Sequence, residues 1–152
     1  MTKAYTDDGY YVSTGKKHNI AHGAKELSAL YQHYFTKIKK NNFKLAIEFK
    51  VIDRLIDTKS ITDVGYYLVT VSPALDHEHP IKQHAGKYLM TFKQDENNQW
   101  RIWSDANNRV SVKTYHDAVM LSDLFYASNL EQLTQPSQQC SVAKNLVANN
   151  AN

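Results

Sequence analysis

Three features of this 152-residue sequence predict an α+β domain, a strongly curved, mostly antiparallel sheet wrapped around one helix. One long amphipathic helix comes early, alternating runs follow it, and a short polar turn joins two of those runs. In the helix, Leu27, Leu30, Tyr31, Tyr34, Phe35 and Ile38 fall on one face of a helical period, which predicts a helix over 24–40 after Gly23. Lys37, Lys39 and Lys40 crowd its last turn, where the helix dipole favours cations, and Asn41 and Asn42 suit its end. Ahead of it, Tyr5-Thr-Asp-Asp-Gly-Tyr-Tyr-Val-Ser reads as a turn running into a short strand, and Lys16 to His22 as a loop. Leu45 to Ile56 sets Ile47, Phe49 and Val51 against Glu48 and Lys50, a strand with one wet face. Val64 to Val71 is dense enough for burial on both faces, and Pro73 to Gln83 reads as a loop rich in histidine. Tyr88, Met90 and Phe92 alternate with Lys87, Leu89 and Thr91. After the turn at 94–99, Trp100, Ile102 and Ser104 alternate with Arg101, Trp103 and Asp105, which completes a hairpin. Thr114 followed by Asp117 resembles a helix start, with Ala118, Leu121, Leu124 and Phe125 giving a stripe to about Leu133. The expected organisation is a cone over 1–108 and a helical tail over 109–152 packed on the same domain, with no internal repeat.

Composition narrows the function classes. Apolar residues are 42% and charged residues 22%, enough core for one domain and too polar for a spanning protein. The polar start from Met1 to Gly9 has no apolar signal core, which predicts a cytoplasmic location. The lone Cys140 excludes an intramolecular disulfide framework and a cysteine zinc cluster, and in its polar tail it is not a credible nucleophile. A net charge of +3 spread along the chain argues against a nucleic-acid partner. Five glycines leave little for a phosphate-cradling loop, no Ser-His-Asp elbow or CxxC occurs, and no cofactor is expected.

Three stretches then resemble the SnoaL-like, ketosteroid-isomerase-like branch of the nuclear transport factor two-like superfamily. They are Tyr5-Thr-Asp-Asp-Gly-Tyr-Tyr-Val, His22-Gly-Ala-Lys-Glu-Leu with Tyr34-Phe35, and Gly86-Lys-Tyr-Leu-Met-Thr-Phe-Lys leading to Trp100-Arg-Ile-Trp-Ser-Asp-Ala-Asn-Asn. Together they cover about residues 4–108. The resemblance implies a cone with a ligand pocket and a homodimer paired through the outer sheet face, where Lys87, Thr91 and Arg101 or their alternates would be placed. It also implies a leading pair of helices, whereas this sequence starts directly at the strand; either those helices lie outside this sequence or the tail helix near 115–133 takes over part of their job, and the second is expected. The family's catalytic aspartate aligns on Ser13 or Thr14, neither a carboxylate, and its oxyanion-hole tyrosine lies on a missing helix. The resemblance therefore implies the fold without steroid-isomerase chemistry.

Candidate residues follow from face and type. Asp105 matches an acidic position near the family's pocket and shares a strand face with Arg101 and Trp103. It is either an acid/base or ligand acceptor in an apolar surround, or a carboxylate paired with Arg101 or capping a turn before Asn107. One of Tyr66 and Tyr67 points into the cone, as an oxygen-binding donor or as a core tyrosine. Tyr88, Met90, Phe92, Trp100 and Trp103 are core or pocket wall. His77, His79 and His84 form the one metal-like spacing, read more simply as loop histidines. The expected function is binding of a small apolar, oxygen-bearing molecule. One alternative is a non-catalytic interaction module whose tail puts Leu124 or Phe125 into the cone mouth. Another is a small isomerase, cyclase or hydratase using Asp105.

Overall fold

The computed structural model describes residues 4–13, 20–73, 80–122 and 124–129. Its elements are β1 (Tyr5–Ser13), β2 (Ala21–His22), α1 (Gly23–Lys40), β3 (Phe43–Asp57), β4 (Ser60–Pro73), β5 (Lys82–Gln94), β6 (Trp100–Val110), α2 (Val112–Asp117) and β7 (Phe125–Asn129). The strands form one seven-stranded sheet in the order β2-β1-β6-β5-β4-β3-β7. The pairing of β1 with β6 is parallel and every other pairing is antiparallel. The sheet is curved and open, and α1 packs on its concave side through Leu27 and Tyr31.

Local chemistry sets the boundaries of α1. The Glu26 carboxylate accepts from the His22 N–H at 2.9 Å, placing a negative charge on the positive end of the helix dipole. At the other end the three lysines sit in the last turn, and Asn42 takes a left-handed φ of 52°, which asparagine tolerates better than most residues. The β5–β6 turn is organised by Asp95. Its carboxylate accepts from the N–H groups of Asn97 and Gln99 at 2.9 and 2.8 Å and pairs with Arg101 at 2.6 Å.

Two bulges reassign faces. In β6, Ile102 opposes Phe92 while Ser104 opposes Thr91, so Trp103 is the extra residue. Trp100 and Ile102 therefore share the concave face with Asp105, which opposes Met90, and Arg101 and Trp103 do not. Simple alternation put Asp105 with Arg101 and Trp103; the bulge overturns that. Trp103 lies on the convex side, its ring under the Lys93 ammonium at 3.5 Å and edge-on to Tyr10 at 5.9 Å. The second bulge, between Val51 and Asp53 of β3, turns Arg54 onto the concave face opposite Asp63. Gly65, beside that bulge, has no room for a side chain, since a Cβ there would overlap the Lys50 carbonyl.

The region after β6 departs from the expected long helix. Helix α2 spans only 112–117 and is capped one turn earlier than expected, with Ser111 Oγ accepting from the Thr114 N–H at 3.1 Å. Tyr115 of α2 is buried against Leu68 and Ala85 on the convex side, with Tyr66, Val110 and Val112 around them. The Lys50 ammonium holds the end of α2 by its bond to the Tyr115 carbonyl at 2.9 Å, with His116 and Ala118 carbonyls at 3.3 and 3.4 Å. Leu124 and Phe125 are not on a helix. Leu124 accepts from the Val51 N–H at 3.2 Å, and Phe125 begins β7, which satisfies the backbone edge of β3. Residues 130–152, including Cys140, lie outside the described residues. Among those described, no helix is long and apolar enough to cross a membrane.

Candidate functional site

The concave face collects polar groups from strands far apart in sequence. Register places Tyr5 and Tyr11 of β1, Asp105, Asn107 and Arg109 of β6, His84, Tyr88, Met90 and Phe92 of β5, and Asp63 and Tyr67 of β4 on it. At its centre is a hydrogen-bond chain. The hydroxyls of Tyr31 and Tyr5 are 2.5 Å apart, Tyr5 donates to Asp105 Oδ2 at 3.2 Å, and Asn107 donates to Asp105 Oδ1 at 3.2 Å. Tyr5 has one proton, so when it goes to Asp105 the Tyr31 proton goes to Tyr5. Asp105 is buried. Loss of solvent pushes its carboxyl up from the usual range, and the bonds from Asn107 and Tyr5 offset only part of that. Burial likewise raises both Tyr5 and Tyr31, so the tyrosines stay neutral donors. A carboxyl linked to two neutral hydroxyls offers acceptor oxygens and O–H donors to a single oxygen atom of a bound molecule.

Aromatic rings frame this chain. Tyr31 meets Tyr5 at 5.8 Å, Tyr11 at 6.4 Å and Phe35 at 6.3 Å, and Phe49 packs edge-on to Tyr88 at 5.4 Å. Arg54 and Asp63 form a buried, doubly bonded ion pair on the same face, with distances of 2.6 and 2.7 Å. The Tyr126 hydroxyl, brought by β7, accepts from Arg54 at 3.1 Å.

Of the residues singled out in the sequence, Asp105, Tyr67, Tyr88, Met90, Phe92 and Trp100 share the concave face. Tyr66 points the other way and packs beside α2, and Trp103 is likewise on the convex side. Arg101 is engaged with Asp95, and the Asp105 partners are Tyr5 and Asn107. His84 is not in a loop but inside β5; His77 and His79 lie outside the described residues. Among the described residues no three His, Cys, Asp or Glu side chains come together as a metal site. Sequence reasoning missed Tyr5 and Tyr31. Tyr31 was visible on the apolar stripe of the helix, where a hydroxyl needs a partner, but its link to Asp105 through Tyr5 spans 100 positions.

No protein-family model and no curated protein matches this chain. Solved structures do. ActVI-ORFA from Streptomyces coelicolor is similar with a TM-score of 0.59 at 14% identity, over 71% of this chain and 78% of that one. An NTF2-like protein with a cystatin-like fold from Novosphingobium aromaticivorans gives 0.58 at 13% identity, over 79% and 74%. A ketosteroid isomerase-like protein from Erwinia carotovora atroseptica gives 0.52 at 18% identity, over 72% and 78%. This chain, an open, curved sheet wrapped on α1, shares the fold of these structures, which for the NTF2-like protein is described as cystatin-like.

Proposed function

We propose that this protein binds a small, largely apolar molecule through one of its oxygen atoms, which is held at the Tyr31–Tyr5–Asp105 chain. The observation that carries this reading is a carboxyl buried between sheet and helix whose partners, among the described residues, are neutral donors and not a cation. A purely structural carboxylate at that depth is ordinarily paired with a positive charge, as Asp63 is with Arg54. The aromatic frame supplies the apolar contacts, and the fold is one whose solved members include a ketosteroid isomerase-like protein. Acid/base catalysis by Asp105 is the second reading. It is favoured by the continuous path of exchangeable protons from Tyr31 to the carboxyl.

Native mass spectrometry followed by denaturing extraction tests the first reading. The expected result is a co-purifying apolar molecule with a carbonyl or hydroxyl group, reduced in Tyr5→Phe and Asp105→Leu variants that fold. Protein that is empty in every preparation, and whose affinity for hydroxylated naphthalenes is the same in both variants, refutes it.

The convex face supports a homodimer as part of the proposal. Val12, Ala106, Leu89 and Val64 line up in register across four strands, and Leu89 and Val64 are 45% and 37% exposed. Lys87, Thr91 and Arg101 share that face. An apolar row of this kind suits isologous pairing with a second copy.

A further inference from the structure

Arg109 gives the concave face a second polar end. It lies on β6 four residues beyond Asp105, on the same face, opposite Gly86 of β5. At ~3.3 Å per residue the two Cα atoms are ~13 Å apart. Among the described residues no carboxylate lies within ion-pair distance of its guanidinium. Its guanidinium is on an exposed residue, and its charge reaches Tyr34 of α1, Tyr67 of β4 and His84 of β5. The Tyr67 ring occupies the space that any side chain at Gly86 would need, so the glycine lets that ring lie beside Arg109. Lys82, on the same face, adds positive charge at the start of β5.

An exposed arginine fork with no acidic partner among the described residues, beside the Tyr67 ring, matches a planar carboxylate, which it can bind with two parallel hydrogen bonds. We propose that the molecule bound on the concave face is an aromatic or alicyclic carboxylic acid. Its carboxylate lies on Arg109, and an oxygen at its far end lies on the Tyr5–Asp105 chain. This rests on the binding reading above and extends it to the charge and length of the ligand. The ~13 Å between the two ends, shortened by the reach of the arginine side chain, suits a body of about two fused rings.

A matched pair of probes tests it: 6-hydroxy-2-naphthoate and its uncharged methyl ester, titrated calorimetrically into the wild type, Arg109→Gln and Arg109→Lys. The expected result is that the wild type binds the acid roughly tenfold more tightly than the ester. Arg109→Gln abolishes that preference by weakening the acid more than the ester, and Arg109→Lys keeps part of it. Equal wild-type affinity for the two probes overturns the carboxylate assignment and leaves the binding reading standing. So does an equal loss of both probes in Arg109→Gln. Failure of both probes to bind the wild type refutes the two together. Far-UV circular dichroism and the melting temperature of Arg109→Gln, matched to the wild type, serve as the check that it is folded.

Discussion

The Arg54–Asp63 pair offers the sharpest test of how the concave face is built. Its side chains are 4% and 3% exposed, and two bonds of 2.6 and 2.7 Å join them. Replacing Arg54 with Met removes the one cation that, among the described residues, bonds the buried Asp63 carboxylate. Breaking a buried pair in this way costs about 3–5 kcal/mol, because one charge is left uncompensated. For a domain of this size that corresponds to a melting temperature lower by about 6–20 °C. Asp63→Val strands the guanidinium instead, with Tyr126 among its bonded neighbours, and belongs in the same range. The double variant Arg54→Met with Asp63→Val has no buried charge and keeps two apolar, strand-compatible side chains in register. It is expected within about 1–2 kcal/mol of the wild type, so the two losses fall well short of adding. Guanidinium denaturation followed by circular dichroism measures all four proteins. Single variants costing less than about 1 kcal/mol, or a double variant equal to the sum of the singles, would refute the buried, mutually compensating pair.

Other expectations follow from the same face. His84 is half-buried, and burial, then the Arg109 charge, push its imidazole down to about 4. The unfolded chain takes up that proton near 6.5 and the folded one does not, so stability is complete above 6.5 and falls as pH drops towards 4. The interval corresponds to ~3 kcal/mol at most and, with water around the ring, to about 1–2; His84→Gln should flatten this part of the pH–stability curve. Asp105 has the opposite sign, since its raised carboxyl costs stability once pH carries it into the charged form. Asp105→Asn should therefore melt progressively higher than the wild type as pH rises from acid to neutral, and a difference that stays constant would contradict the desolvation argument. On the convex face, Leu89→Lys should convert a dimer to a monomer in light scattering at micromolar concentration; a monomeric wild type refutes the dimer directly.

The sequence carried the elements better than the faces. The stripe on α1, the alternation in β3 and the polar turn at Asp95 follow local rules, and each is present. Alternation failed at the β6 bulge, where one extra residue sends Trp103 to the other side of the sheet. It failed again after residue 117, where a stripe readable as a helix instead supplies β7. Pairing with the free edge of β3 outweighs the helical preference of so short a segment. Asp105 was legible from its setting in the hairpin. Its partner Tyr5 was not, because no local pattern reports a parallel contact made from the other end of the chain.

That parallel contact bears on the order of folding. Strands β3 to β6 meet sequential neighbours and can zip up as a meander, each turn closing a short loop. Strand β1 can join only after β6 exists, across 100 positions, at the entropic cost of a very long loop. Tyr5 therefore docks on Asp105 as one of the last native contacts, and the hydrogen-bond chain exists only in molecules that have completed the sheet. Amide exchange should find β1 opening at lower free energy than β4 or β5.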